Sequence, residues 1–149
     1  MVYLGYVTHY WHKNIAGPKV SQWKSGYRDF EDEKQMSSHI VKIFNQTMKE
    51  DDILYFLGDW SFGGKQNIWN FRKQLNCKEI HLILGNHDHN IESNKTFVVP
   101  LEETDRYQYL TGKTPIGVGY TQDLFTSVQH YKEISINGNM FILSHYKPA

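Results

Sequence analysis

The sequence is short of several things, and each shortage excludes something. It has a single cysteine, Cys77, so no disulfide can form within the chain and a reducing compartment fits. Its charges cancel: Lys plus Arg number 16 and Asp plus Glu number 16. That balance argues against a mainly electrostatic nucleic-acid binder and against a polybasic membrane anchor. No apolar run approaches the length of a transmembrane helix. The opening Met1-Val2-Tyr3-Leu4-Gly5 lacks a basic segment followed by an apolar one, so it does not read as a secretory signal. Repeats, linkers and low-complexity tracts are also missing. The expectation is one cytoplasmic domain over residues 1–149, with no membrane partner.

What is present is aromatic and imidazole-rich. Ten Tyr, eight Phe and four Trp suit a globular core, and eight His supply metal ligands or proton carriers. Apolar, β-branched stretches predict strands over residues 2–8, 52–57 and 79–84. Between them, Met36, Ile40, Ile43, Phe44 and Met48 recur at helical spacing and predict a helix over about 29–49, with Asp29 as its N-cap. A second helix is predicted over 66–75. Strand, helix, strand, helix, strand implies a parallel sheet and an α/β fold. Residues 88–127 carry weak periodicity, with short helices expected near 90–94 and 122–126. Asn137-Gly138 between two β-rich runs signals a hairpin over 131–136 and 140–144.

Each apolar run ends in chemistry. His9 and His12 follow the first, Gly58-Asp59 the second, Gly85-Asn86-His87-Asp88 the third, and His145 the last. In open α/β sheets, ligands bind at this carboxyl edge. Imidazole, carboxylate and amide oxygen suit divalent Mn, Fe, Zn or Co. Asp59 is the natural carboxylate to bridge a metal pair, and two such ions activate a hydroxide for in-line attack at phosphorus. An unligated His nearby can protonate the leaving oxygen.

Thr8-His9-Tyr10-Trp11-His12-Lys13-Asn14, Gly58-Asp59 with Phe62-Gly63, Gly85-Asn86-His87-Asp88 and Ser144-His145-Tyr146 occur in that order. With these blocks the chain resembles the calcineurin-like metallophosphoesterases. The resemblance implies an α/β sandwich of two β-sheets flanked by helices. It implies hydrolysis of a phosphomonoester or phosphodiester by metal-activated water. Asp59 would bridge two metals, His9 would ligate the first, and Asn86 and His145 would ligate the second. His87 would be the general acid, Asp88 would orient its imidazole, and His12 would face the substrate phosphate. Nucleic acid stays among the open substrates.

Two departures from the family pattern shape the expectation. The first block's usual metal-binding Asp is Val7 here, and the sequence ends at Ala149 before a Gly-His-x-His block. The chain is therefore read as lacking its C-terminal part and as holding one metal in place of two. The alternative is a catalytically impaired metallophosphoesterase fold acting as a binding or structural module. His39, His81, His89 and His130 are read as structural or surface residues, Cys77 as buried, and one of Trp11 and Trp60 as core.

Overall fold

A computed structural model describes residues 1–5 and 8–145. Val7 and Tyr146, both named above, lie outside the described residues. The elements run β1 (Val2–Gly5), α1 (Lys13–Ala16), α2 (Glu33–Thr47), β2 (Ile53–Phe56), α3 (Gln66–Arg72), β3 (Glu79–Ile83), α4 (His89–Glu92) and β4 (Thr96–Val98). They continue with α5 (Thr104–Thr111), β5 (Val118–Tyr120), β6 (Ser127–Gln129), β7 (Tyr131–Ile136) and β8 (Asn139–Ser144). The fold is α/β, built on a parallel sheet of order β1-β2-β3-β6. β4 pairs with β5, and β7 with β8, as two small antiparallel sheets. No described helix is long and apolar enough to cross a membrane.

The period-2 alternation of the strands sorts their side chains onto two faces. Leu54, Phe56, Ile80 and Leu82 meet Met36, Ile40, Trp69 and Phe71 in the main core. Tyr55, Leu57 and Ile83 point the other way, against Ile134 and Leu143 of the hairpin. The sheet is thus covered by helices on one side and by β7–β8 on the other. Asn137 and Gly138 take left-handed φ of 52° and 81°, as the hairpin turn requires.

Asp29 does not cap α2. Asp32 does: its Oδ1 accepts from the Gln35 N–H at 2.8 Å. Before it, the Arg28 and Phe30 N–H groups pair with the carbonyls of Ile15 and Ala16, which holds this segment along α1. Ile43, expected on the buried stripe, is exposed. The stretch 88–127 holds more order than its sequence predicts. It contains α5, closed by Gly112 at φ 72°, and the β4–β5 pair, and it runs into the fourth strand of the main sheet. The helix expected near 122–126 is a single 3-10 turn over Thr121–Leu124.

Several residues have structural roles. Trp60 is the core tryptophan, fully buried against Phe56, Phe71 and Phe125. Cys77 is buried. His81 is buried between Ser127 and Glu79, with its ring stacked on Tyr55. Unforeseen is Arg72, fully buried, which donates from Nε to the Leu124 carbonyl and from Nη2 to that of Lys78. It ties α3 to the segments leading into β3 and β6.

Candidate functional site

The site is built where β2 and β3 end. Gly58 and Asp59 both take positive φ, 83° and 53°. A Cβ at Gly58 would fall inside the His145 ring. A Cβ at Gly85 would meet Asp59 Oδ1 at 2.7 Å and the Asp59 nitrogen at 2.8 Å. Glycine at both positions lets the two turns press together and brings His145 onto them. Five described non-glycine residues hold positive φ, and three of them, His9, Trp11 and Asp59, belong to this region. Such strain persists only where surrounding contacts over-determine it.

Asp88 supplies those contacts. Its Oδ2 accepts from the N–H groups of Asp59 (2.8 Å) and Gly85 (2.7 Å), and its Oδ1 from that of Trp60 (2.8 Å). Burial pushes the Asp88 carboxyl up, and the three N–H donors oppose that push. This corrects one expectation: Asp88 does not orient the His87 imidazole. It is buried beneath the turn, where backbone donors converge on it, while His87 stands exposed above.

The imidazole pairs with Asp59 instead. His87 Nδ1 lies 3.3 Å from Asp59 Oδ1, which also accepts from the His87 backbone N–H at 2.9 Å. The other carboxylate oxygen, Oδ2, faces His145 Nε2 at 3.6 Å. His145 Nδ1 lies 2.8 Å from the Leu57 carbonyl. A carbonyl only accepts, so Nδ1 carries the proton and, in the neutral ring, Nε2 presents a lone pair. A ring fixed through its far nitrogen by a backbone carbonyl is how ligating histidines are oriented.

The remaining expected residues are less gathered. Asn86 is exposed on the same turn. His9 has no hydrogen bond or ion pair to Asp59 among the described residues, and its buried Nδ1 has no partner there. Burial first, then the nearby Arg28, lowers His9 from 6.5 to about 4, so its ring is neutral at pH 7. Arg28 donates from Nη1 to the Thr8 carbonyl at 2.9 Å. His12 Nδ1 accepts from the Ile15 N–H at 3.3 Å and caps α1. Burial lowers the His12 value as well.

Phe62 carries more than the sequence suggested. Its ring lies 4.3 Å from His12, 5.1 Å from His87 and 5.8 Å from His9, centroid to centroid. Its place three residues beyond Asp59, ahead of two glycines, was the available signal. A cleft of about 340 Å³ runs along it, lined by Ser61, Phe62, His87, Asp88 and Asn90. Another cleft, about 650 Å³, lies at the other end of the sheet around Asp52, Lys78 and Glu79. It is too far from these side chains to share their chemistry.

Among the described residues, no three His, Cys, Asp or Glu side chains gather closely enough to hold a metal ion. A dinuclear centre therefore does not fit the residues as they stand. What fits in part is one ion. Asp59 Oδ2 and His145 Nε2 lie 3.6 Å apart, and Asn86 is exposed on the turn that follows β3.

No family model matches the chain. No curated protein matches it. A solved structure of a protein of unknown function from Aquifex aeolicus is similar in fold, with a TM-score of 0.58 and 24% identity. The similarity covers 98% of this chain and 60% of that one, so the chain spans under two thirds of that protein's length.

Proposed function

We propose that the chain is a phosphoesterase of the metallophosphoesterase type, an α/β sandwich that hydrolyses a phosphomonoester or phosphodiester with metal-activated water. The observation that carries this is the Asp59 carboxylate, one oxygen against each of two imidazoles, at the carboxyl edge of a parallel sheet. Asp59, His145 and Asn86 are the residues that would hold a divalent ion. Bound there, such an ion would polarise the phosphoryl oxygens and lower the pKa of a bound water. His87 turns Nδ1 to Asp59, which leaves Nε2 on the exposed side; in the imidazolium form that nitrogen would give its proton to the leaving oxygen. Asp88 keeps the Asp59 turn and the His87 turn in register. Neutral His9 adds no positive charge of its own, and Phe62 shields one side of the cleft from water.

The test is hydrolysis of bis-p-nitrophenyl phosphate and p-nitrophenyl phosphate with added Mn²⁺, on the chain and on Asp59→Ala and His87→Ala. Mn²⁺-dependent turnover that Asp59→Ala abolishes is expected. Loss of His87 should lower kcat by about 10²–10⁴-fold. No Mn²⁺-dependent turnover, or turnover that survives Asp59→Ala, overturns the reading.

A second reading is a fold of this type without turnover, serving as a binding or structural module. It is favoured by the missing three-donor cluster among the described residues and by Val7, whose side chain cannot ligate. Val7→Asp separates the two. If bound metal rises from one ion to two and hydrolysis appears only in the variant, the second reading holds for the natural sequence.

A further inference from the structure

A cluster away from Asp59 has a chemistry of its own. Leu4 of β1, Tyr55 of β2, His81 of β3 and Ser127 of β6 are paired in register, so they form a row across one face of the main sheet. His81 is buried in this row, its ring stacked on Tyr55 with centroids 4.8 Å apart. Its Nε2 lies 2.8 Å from Glu79 Oε2, and its Nδ1 lies 2.6 Å from Ser127 Oγ. Glu79 precedes His81 by two residues on β3, so the strand's alternation puts both on this face.

The carboxylate sets the direction of both bonds. An ionised carboxylate only accepts, so Nε2 carries the ring proton and, in the neutral ring, Nδ1 keeps a lone pair. The Ser127 hydroxyl donates to that lone pair. Hydroxyl, imidazole base and a carboxylate that orients the base are the three groups that activate a serine. Burial is graded to match: the base is buried, while Ser127 is partly exposed. The strand also supplies a donor for the oxygen of a carbonyl under attack. Thr126 gives its N–H to the Ile80 carbonyl of β3 at 2.7 Å. Successive N–H groups of a strand point to opposite sides, so that of Ser127 turns away from β3, and β6 is the last strand of the sheet. It stands beside Oγ on the open edge, where an oxyanion would form.

We propose that Ser127 is a nucleophile that takes the acyl group of a carboxylic ester, with His81 as its base and Glu79 as the residue that positions the base. Ser127 Oγ bonds to the ester carbonyl carbon, and the bond from that carbon to the leaving oxygen breaks. The serine proton passes through His81 Nδ1 to the leaving oxygen, giving acyl-serine and an alcohol. Water then attacks the acyl-serine, and Ser127 regains its proton as the acid departs. Val2 and Leu4 stay exposed on the same face, beyond Tyr55, and favour an apolar acyl chain. None of these steps rests on the phosphoesterase reading. Treatment of the full chain with a fluorophosphonate probe in EDTA, followed by peptide mass mapping, should place one label on Ser127. Ser127→Ala should abolish it. His81→Gln should slow labelling about 10²-fold or more. Glu79→Ala changes a partly exposed residue and should slow it at least about tenfold with an unchanged circular dichroism spectrum. p-Nitrophenyl octanoate should acylate Ser127 at least about tenfold faster than p-nitrophenyl acetate. No label, a label that survives Ser127→Ala, or an unchanged rate in Glu79→Ala overturns the proposal. Equal rates for the two esters overturn the choice of an apolar acyl chain.

Discussion

Asp88→Asn separates two roles that the sequence alone could not. The substitution is isosteric, so no cavity forms and the effect reduces to hydrogen bonding. Asp88 Oδ2 serves two backbone donors and Oδ1 serves one. The best orientation of an asparagine keeps its carbonyl on the Asp59 and Gly85 N–H groups. Its NH₂ then faces the Trp60 N–H, donor against donor. Two bonds lose their charge assistance at about 1 kcal/mol each, and one buried N–H loses its acceptor at about 1–3 kcal/mol. Removing a carboxylate whose charge burial disfavours returns part of this. The net expectation is about 2–4 kcal/mol of lost stability. For a chain of this size that is roughly 5–15 °C in Tm. Urea unfolding followed by circular dichroism, with a matching thermal scan, measures it. An Asp88→Asn chain that unfolds within about 1 kcal/mol of wild type would refute the reasoning. If it also lost hydrolysis, Asp88 would be acting on His87 after all.

Three further expectations follow the same contacts. Gly85→Ala should cost about 1–3 kcal/mol and disturb the Asp59–His87 spacing, because its Cβ meets Asp59 backbone, which cannot swing aside; nearly unchanged unfolding and unchanged Mn²⁺-dependent hydrolysis would count against the turn-packing account. Arg72→Met should cost about 2–4 kcal/mol in urea unfolding by stranding the Leu124 and Lys78 carbonyls, and a neutral result would show that those groups find other donors. His9 holds its folded-state value at about 4 against 6.5 unfolded, so the unfolded chain binds the extra proton. Its share of stability is complete above pH 6.5 and is lost as pH falls toward 4, by about 1–3 kcal/mol after allowing for partial exposure. Urea midpoints of metal-free wild type and His9→Gln should converge on acidification over that range, and parallel curves would reject the assignment.

The carboxyl-edge residues were legible because each follows an apolar run and two sit beside glycine. Parallel pairing of β1, β2 and β3 then aligns those run ends with no further information. The function of Asp88 was not legible. It depends on which backbone donors turn inward at two loops 29 residues apart. The start of α2 was missed for a related reason. Asp29 and Asp32 are equally good caps by type, and the Asp32 cap is set by tertiary pairing that holds residues 28–30 along α1. α5 was missed because it buries only Tyr107 and Leu110, too few to mark an apolar stripe, although Gly112 marks its end. β6 has three residues and one aliphatic side chain, and its partner on β3 is what makes it a strand.

The two imidazoles beside Asp59 differ in a way that assigns them different work. His145 is held: its side chain is 14% exposed, its Nδ1 is bound to the Leu57 carbonyl, and its Nε2 is aimed at Oδ2. On the phosphoesterase proposal, so fixed a ring would hold a cation. His87 has its side chain 59% exposed, and its ring touches Asp59 through Nδ1. On the same proposal it would meet the leaving group at Nε2. The carboxylate between them is 10% exposed by side chain and sits on a strained backbone, so its two oxygens cannot trade partners by rotating freely. The division of labour is therefore set by the backbone at Gly58 and Asp59, and Asp88 is the group that keeps that backbone in place.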